Sequence, residues 1–256
     1  MSSPPRTVDD FAAPYANFLV RVPAAGTGVC KVCHSIVSGF DVCYQCYQAR
    51  SVIGSAMADV AAFVSMAPTG EQFARELYTY KNPSVGSLDR QLKTVGLAAV
   101  LWKWLGLHEA CMTRRIGLPS PFDLVTTVPS TSGRPAHPLR TVVAGIVVGS
   151  DSRHADLLAI ARTDLEQRAQ APDRYRATAG LWGKSVLVID DTWTTGAHAQ
   201  SASAALKAVG AAKVGVLAIG RWFDRTWNPG AANGESWLAE HRKPGWAWER
   251  CCLDPD

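Results

Sequence analysis

The chain belongs to the α/β class, with a sheet of parallel strands flanked by helices and a small cysteine-rich module ahead of it. Three observations lead there. Val186-Leu187-Val188-Ile189 is an unbroken aliphatic run, the pattern of a strand buried on both faces of a parallel sheet. Ala197 to Val209 has Ala202, Ala205, Leu206 and Val209 on one side and Gly210 as a stop, which predicts a helix. Lys213 to Ile219 is a second apolar run, so strand, helix and strand alternate as in a right-handed parallel crossover.

Other elements follow from local patterns. Residues 1–27 are rich in Pro and Ala and read as a flexible N-terminal arm, with one short helical piece around Phe11 to Leu19. Ser51 to Met66 is Ala-rich, with apolar residues at helical spacing. Leu88, Leu92, Val95, Ala99 and Trp102 give one apolar face to a helix over about 88–105. Phe122 to Val128 reads as a strand, Pro138 to Val148 as a helix opened by its proline, and Asp156 to Ala161 as a further strand. The boundaries are then 1–27 for the arm, 28–50 for the cysteine module, 51–221 for the α/β domain and 222–256 for a Trp-rich tail. That tail reads as irregular, either anchoring across the sheet or hooding a bound base; Cys251-Cys252, as sequence neighbours, read as packing.

Composition narrows the functional classes without selecting one. A chain of 256 residues with 47% hydrophobic and 19% charged residues is ordinary for a globular protein with a real core. The net charge of +4 suits an anionic small molecule and weak nucleic-acid contact alike. Met1 to Val29 lacks the apolar core of a signal peptide, and the apolar stretch Thr141 to Gly149 is too short to span a bilayer. With seven cysteines, an odd number, the expectation is a reducing cytoplasm and no membrane partner.

The cysteine module is Cys30-Lys31-Val32-Cys33 followed by Cys43-Tyr44-Gln45-Cys46. Two C-x₂-C knuckles present four thiolates, the donor set of a closed, structural tetrahedral Zn²⁺ site. Gly28 and Gly39 provide tight turns, and His34 stands by as a substitute donor. A redox dithiol and four unrelated buried cysteines are the alternatives. So small a module builds no core alone, so the metal supplies much of its folding energy.

The most informative stretch is Val186 to His198. Asp190 and Asp191 stand at the carboxyl edge of a strand, where open α/β sheets bind ligands. Thr194, Thr195 and Gly196 then open a helix whose free N–H groups and positive dipole end suit a phosphate. An acid pair for sugar hydroxyls or Mg²⁺, followed by a phosphate cradle, describes ribose 5-phosphate. The alternative is a plain βα turn whose acids cap the helix. A P-loop is excluded: Gly183-Lys184-Ser185 precedes a strand, and Thr178 occupies the position of its first glycine.

That stretch resembles the phosphoribosyl pyrophosphate motif of type I phosphoribosyltransferases, with His198 standing where the family carries Thr or Ser. Placed behind a zinc ribbon, it is similar to the ComF-like family. Leu77-Tyr78-Thr79-Tyr80-Lys81 and Phe122 to Pro129, with Arg134 in the following basic loop, extend the resemblance. Ala136-His137-Pro138-Leu139-Arg140 departs from the family's Arg-Gly-Phe-Asn-Gln. The resemblance implies a type I phosphoribosyltransferase fold, a pentosyl transfer from phosphoribosyl pyrophosphate with Mg²⁺, and a nucleobase or amine acceptor. It implies Asp190, Asp191 and Arg134 as catalytic, and Thr192, Thr194, Thr195, Gly196, Ala197, His198 and Lys81 as substrate-binding. It further implies that Asp164 to Tyr175, carrying Arg168 and Arg174, closes over the donor; an ordinary solvated helix face is the alternative. A donor sensor without turnover, or a nucleic-acid-associated protein of DNA uptake, is the rival reading.

Overall fold

Apolar runs too long to leave in water pair side by side and set the architecture. The computed structural model describes residues 6–130, 137–227 and 233–254. Among these, the strands are β1 (Val60–Pro68), β2 (Leu124–Thr127), β3 (Leu158–Ile160), β4 (Tyr175–Ala177), β5 (Ser185–Trp193) and β6 (Lys213–Phe223). Four of them form a parallel sheet in the order β1-β6-β5-β2, while β3 and β4 make a separate antiparallel pair. The helices are α1 (Val8–Ala12), α2 (Tyr44–Ile53), α3 (Gln72–Thr79), α4 (Ser87–Arg115), α5 (Pro138–Gly145), α6 (Ala197–Ala208) and α7 (Gly234–Arg242). Helices α3 and α5 pack with α4, and α2 packs with α6, so helices flank the sheet in two groups. No helix among the described residues is long and apolar enough to cross a membrane.

The β5–α6–β6 unit lies where the periodicity placed it. β5 and β6 are the interior strands, and Val186 to Ile189 and Val216 to Ala218 are fully buried, as continuous apolar runs require. β5 nevertheless runs four residues past Ile189, because the longer β6 supplies partners to Trp193 while β2 stops pairing at Thr127 opposite Ile189. Asp190 and Asp191 therefore stand on a strand that overshoots its neighbour.

Two helical expectations change. Ser51 to Met66 is α-helical only to Ile53, with a 3-10 turn at Gly54–Ala56; from Val60 it is a strand with all nine residues of β1 buried. A short run such as Val60-Ala61-Ala62-Phe63-Val64 satisfies helix and buried strand alike, and pairing along β6 decides for the strand. Helix α4 extends to Arg115, and Leu88 and Leu92 on its expected inner face are exposed. The buried band runs instead through Leu97, Leu101, Trp104, His108 and Met112, toward the sheet and α5.

The segment expected to be a flexible arm is docked from Thr7 onward. Thr7 and Asp10 form a reciprocal capping box that starts α1. Tyr15, Leu19, Val20 and Val22 are buried, and Val20 bridges to Met66 beside β1. Tyr15 lies against Gly96 of α4 and donates its hydroxyl to buried Glu76 at 3.1 Å. Glu76 also receives Lys93 at 2.7 Å. Pro and Ala content thus hid the anchoring power of a few large side chains. At the opposite end, the tail contains α7, capped by the Asn233 side chain, and Trp237 stacks on Phe223 at the end of β6. Lys103 of α4 touches both ends, holding Asp9 at 2.6 Å and lying 4.9 Å over the Trp248 ring.

Gly96→Ala tests the docked N-terminal segment, since a Cβ there would stand 2.2 Å from the Tyr15 hydroxyl. The expected outcome in urea unfolding is a loss of about 1–3 kcal/mol, the usual cost of overpacking. Limited proteolysis should then cleave ahead of residue 20 faster than in the parent.

Candidate functional site

A cleft of about 460 Å³ opens at the carboxyl edge of β5 and β2. Asp190, Asp191, Thr192, Thr194, Thr195, Gly196, Ala197, His198 and Lys81 all line it, so one wall and floor collect the sequence-predicted residues. Arg134 falls outside the described residues. From the Asp164 to Tyr175 segment only Gln167 and Arg168 line the cleft. Arg174 is instead buried and ties the segment to itself, donating to the Glu166 and Ala169 carbonyls at 2.7 Å each. Of the tail tryptophans, Trp222 is the one that lines the cleft.

The two carboxylates differ because their surroundings differ. Asp191 is buried, yet Lys81 binds both its oxygens at 2.9 and 2.8 Å and the Tyr80 hydroxyl donates to it at 2.5 Å. Burial alone would raise its pKa; the Lys81 charge and these hydrogen bonds win and hold it below the usual carboxylate value. Asp190 accepts the backbone N–H of Asp191 at 2.9 Å but lies beside that second negative charge. Burial, then the repulsion of Asp191, pushes Asp190 up to about 7. The rim therefore offers one fixed anion and one carboxyl that takes or gives a proton near neutrality.

The turn after the acids is built around a glycine. Gly196 has φ +80° and is the N-cap of α6. A Cβ there would meet the Trp193 ring at 2.2 Å, so the left-handed backbone and the buried indole both demand glycine. Gly196 has no side chain with which to cap the first turn of α6, leaving N–H groups directed to the cleft end of the helix. Thr195 Oγ accepts one of them, from Ala197, at 3.3 Å.

His198 lines the cleft on the first turn of α6, and its ring is fixed from two sides. Its Nδ1 lies 2.6 Å from the Tyr175 hydroxyl, and it bonds to the Gln167 backbone. Burial, reinforced by Arg174, lowers its pKa to about 4, so the ring is neutral at physiological pH. It thereby ties α6 to β4 and to the 161–174 segment. Tyr175 carries no sequence signal of its own, and Tyr80 enters only within the Leu77–Lys81 string; each matters through the one cleft residue it holds.

The four cysteines of the knuckles converge. The sulfurs of Cys30, Cys33, Cys43 and Cys46 lie within 4.8 Å of one another, and those of Cys33 and Cys43 are 3.6 Å apart. A tetrahedral zinc with bonds of about 2.3 Å places its sulfurs roughly 3.8 Å apart, so the cluster fits a structural metal such as zinc. The Cys43 backbone N–H also points at Cys30 Sγ, at 3.3 Å. His34 takes no part: its Nδ1 donates to the Pro23 carbonyl at 2.8 Å and its ring lies edge-on to Phe63. None of the seven cysteines is joined in a disulfide.

One buried guanidinium joins the cluster to the cleft. Arg221 near the end of β6 donates to the Cys33 carbonyl at 2.8 Å and to Cys33 Sγ at 3.3 Å. The same group donates to the carbonyls of Trp193 and Thr194, at 3.2 and 3.3 Å, and to that of Trp222. Nothing in the spacing of Gly220-Arg221-Trp222 announces this role. Comparisons with protein-family models, with curated proteins and with solved structures found no match.

Two outcomes follow. Between the ordinary carboxyl value of 3.8 and about 7, the folded chain keeps the Asp190 proton that the unfolded chain has lost, so this group's contribution to stability falls as pH rises through that window. Asp190→Asn keeps the acceptor but removes the charge; urea unfolding at pH 8 should show a gain of about 1–3 kcal/mol, with a flatter pH profile between these values. Arg221→Met should cost about 3–5 kcal/mol, as expected for breaking a buried ionic contact, and should lower the metal retained by the cysteine cluster in elemental analysis.

Proposed function

We propose that the chain is a phosphoribosyltransferase of the type I fold, a divergent ComF-like protein with a structural zinc ribbon. The observation that carries this reading is the meeting, in one cleft, of the Asp190-Asp191 rim and the Thr194–His198 turn at the start of α6. In it the donor 5-phosphate rests on the backbone N–H groups of that turn, with the Thr194 and Thr195 hydroxyls beside it. Asp190 and Asp191 receive the ribose hydroxyls. Fixing Asp191 with Lys81 and Tyr80 keeps one acceptor oriented before the sugar arrives, which lowers the ordering cost of binding.

Transfer of the pentose breaks the bond between the anomeric carbon and pyrophosphate, so charge develops on both fragments. Mg²⁺, when bound with the donor, supplies charge to the leaving pyrophosphate and the ribose oxygens. The chain's own part is electrostatic: carboxylates beside the cationic pentose, and cations toward the leaving group. Arg168 at the cleft supplies one such cation, and Arg134 is assigned a second from its place in the basic loop. Lys81 serves through Asp191, which it binds, and is within the wall that a pyrophosphate would meet. His198 occupies the place of a family hydroxyl; neutral and tied to Tyr175, it leaves the backbone N–H groups as the principal phosphate donors. The acceptor is a nitrogenous nucleophile, a base or an amine.

The test is calorimetric titration of the full chain with phosphoribosyl pyrophosphate and Mg²⁺. Binding should be lost in Asp190→Asn/Asp191→Asn while zinc content stays unchanged; unaltered affinity in that variant rejects the assignment. Pyrophosphate release across a panel of nucleobases and amines then separates turnover from sensing, and salt-dependent binding to single-stranded DNA would favour the nucleic-acid reading.

A further inference from the structure

A second group of metal-type donors lies away from the cleft, where the tail meets α4. His108 and Cys111 are one turn apart on α4, and Cys251 comes from the tail; their donor atoms lie within 4.8 Å of one another. His108 and Cys251 are buried and Cys111 is half-buried. Proximity of three such residues is a packing accident unless their lone pairs converge, and the hydrogen bonds around them decide that question.

His108 is oriented as a ligand. Its Nε2 lies 2.6 Å from the Trp248 carbonyl, and a carbonyl only accepts, so Nε2 carries the proton. In the Nε2-protonated tautomer Nδ1 carries a bare lone pair, which faces Cys111 Sγ at 3.8 Å. Metal-bound histidines characteristically donate their other ring N–H to a backbone carbonyl or carboxylate in this way. Zinc bonds of about 2.3 Å to sulfur and 2.0–2.1 Å to nitrogen put those two atoms roughly 3.6 Å apart in a tetrahedron. The ring is further held by Trp104, 5.2 Å away between centroids.

The sulfurs are held in place as well. Arg114 donates to Cys111 Sγ at 3.6 Å. Cys251 sits in a turn closed by Asp254, whose carboxylate accepts the Cys251 N–H at 2.9 Å and whose own N–H donates back to the Cys251 carbonyl at 3.2 Å. Two thiolates and a neutral imidazole bring a dication to zero net charge, the condition under which burial is tolerated. Cys252, next in sequence, is buried but belongs to no such group, so the neighbours divide: one faces the donors and the other packs.

We infer that His108, Cys111 and Cys251 form a second zinc site that fastens the C-terminal tail to helix α4. Thiolate and imidazole donors select zinc over magnesium or calcium, which prefer oxygen. The site stands independently of the function proposed for the cleft.

The experiment is metal analysis of the full chain equilibrated with Zn²⁺ and freed of excess by gel filtration. Two zinc ions per chain are expected, one for each donor group, and Cys111→Ser/Cys251→Ser should retain one. Co²⁺ added to protein already carrying zinc in the four-cysteine cluster should give thiolate-to-metal charge-transfer absorption that His108→Ala weakens. Should the double variant also lose the zinc of the four-cysteine cluster through misfolding, the parent chain decides by thiol footprinting. Added Zn²⁺ should slow alkylation of Cys111 and Cys251 several-fold, and chelation should restore it. One zinc per parent chain, alkylation indifferent to Zn²⁺, or a Cys111–Cys251 disulfide in protein kept under reductant would each overturn the site.

Discussion

The buried guanidinium of Arg221 holds together the two halves of this molecule that chemistry would otherwise keep apart. A cysteine cluster and an open cleft have no reason to share a position, yet one side chain donates to the sulfur and carbonyl of Cys33 and to the carbonyls of Trp193 and Thr194. An isolated cation so deep in the fold would be prohibitively costly; the negative cluster makes it tolerable, and its rigid fork satisfies several acceptors at once. In return, the carbonyls at the end of β5 are fixed just where the chain turns into α6. The position of the cleft floor therefore depends on an electrostatic partner contributed by the cysteine module.

Around that constraint the cleft divides its labour between rigid and adjustable groups. Asp191 is clamped by Lys81 and Tyr80, Gly196 is wedged by Trp193, and His198 is locked by Tyr175 and the Gln167 backbone. Asp190 differs, since its proton is exchangeable near neutral pH. The cleft thus combines side chains fixed by their neighbours with one carboxyl whose charge changes near neutrality. The overshoot of β5 beyond β2 makes this arrangement accessible, because a strand paired on both sides to its end would have left no cleft beside the acids.

Legibility in the sequence followed the range of the forces involved. The β5–α6–β6 unit, the acid pair, the glycine turn and the cysteine knuckles could be read because each is encoded within a few consecutive residues. Strand β1 could not: Val60 to Pro68 is Ala-rich and becomes a strand only because β6 runs beside it. The inner face of α4 was misassigned because Leu88 and Leu92 repeat at helical spacing but reach beyond the layers that bury Leu97, Leu101 and Trp104. The roles of Tyr80, Tyr175 and Arg221 are not legible, since each acts on a residue far away in the chain, and only folding brings those partners together. Gly196 was readable as a turn, but its contact with Trp193 required the structure.

Helix α4 gives the chain a property that neither end has alone. Lys103 grips Asp9 with its charge and Trp248 with the same ammonium, so stretches near opposite ends of the polypeptide share one anchor. Loss of either contact leaves the ammonium with the other alone, so the two end segments are linked energetically through one side chain. The helix in the middle of the sequence thus supplies a shared point of attachment for both.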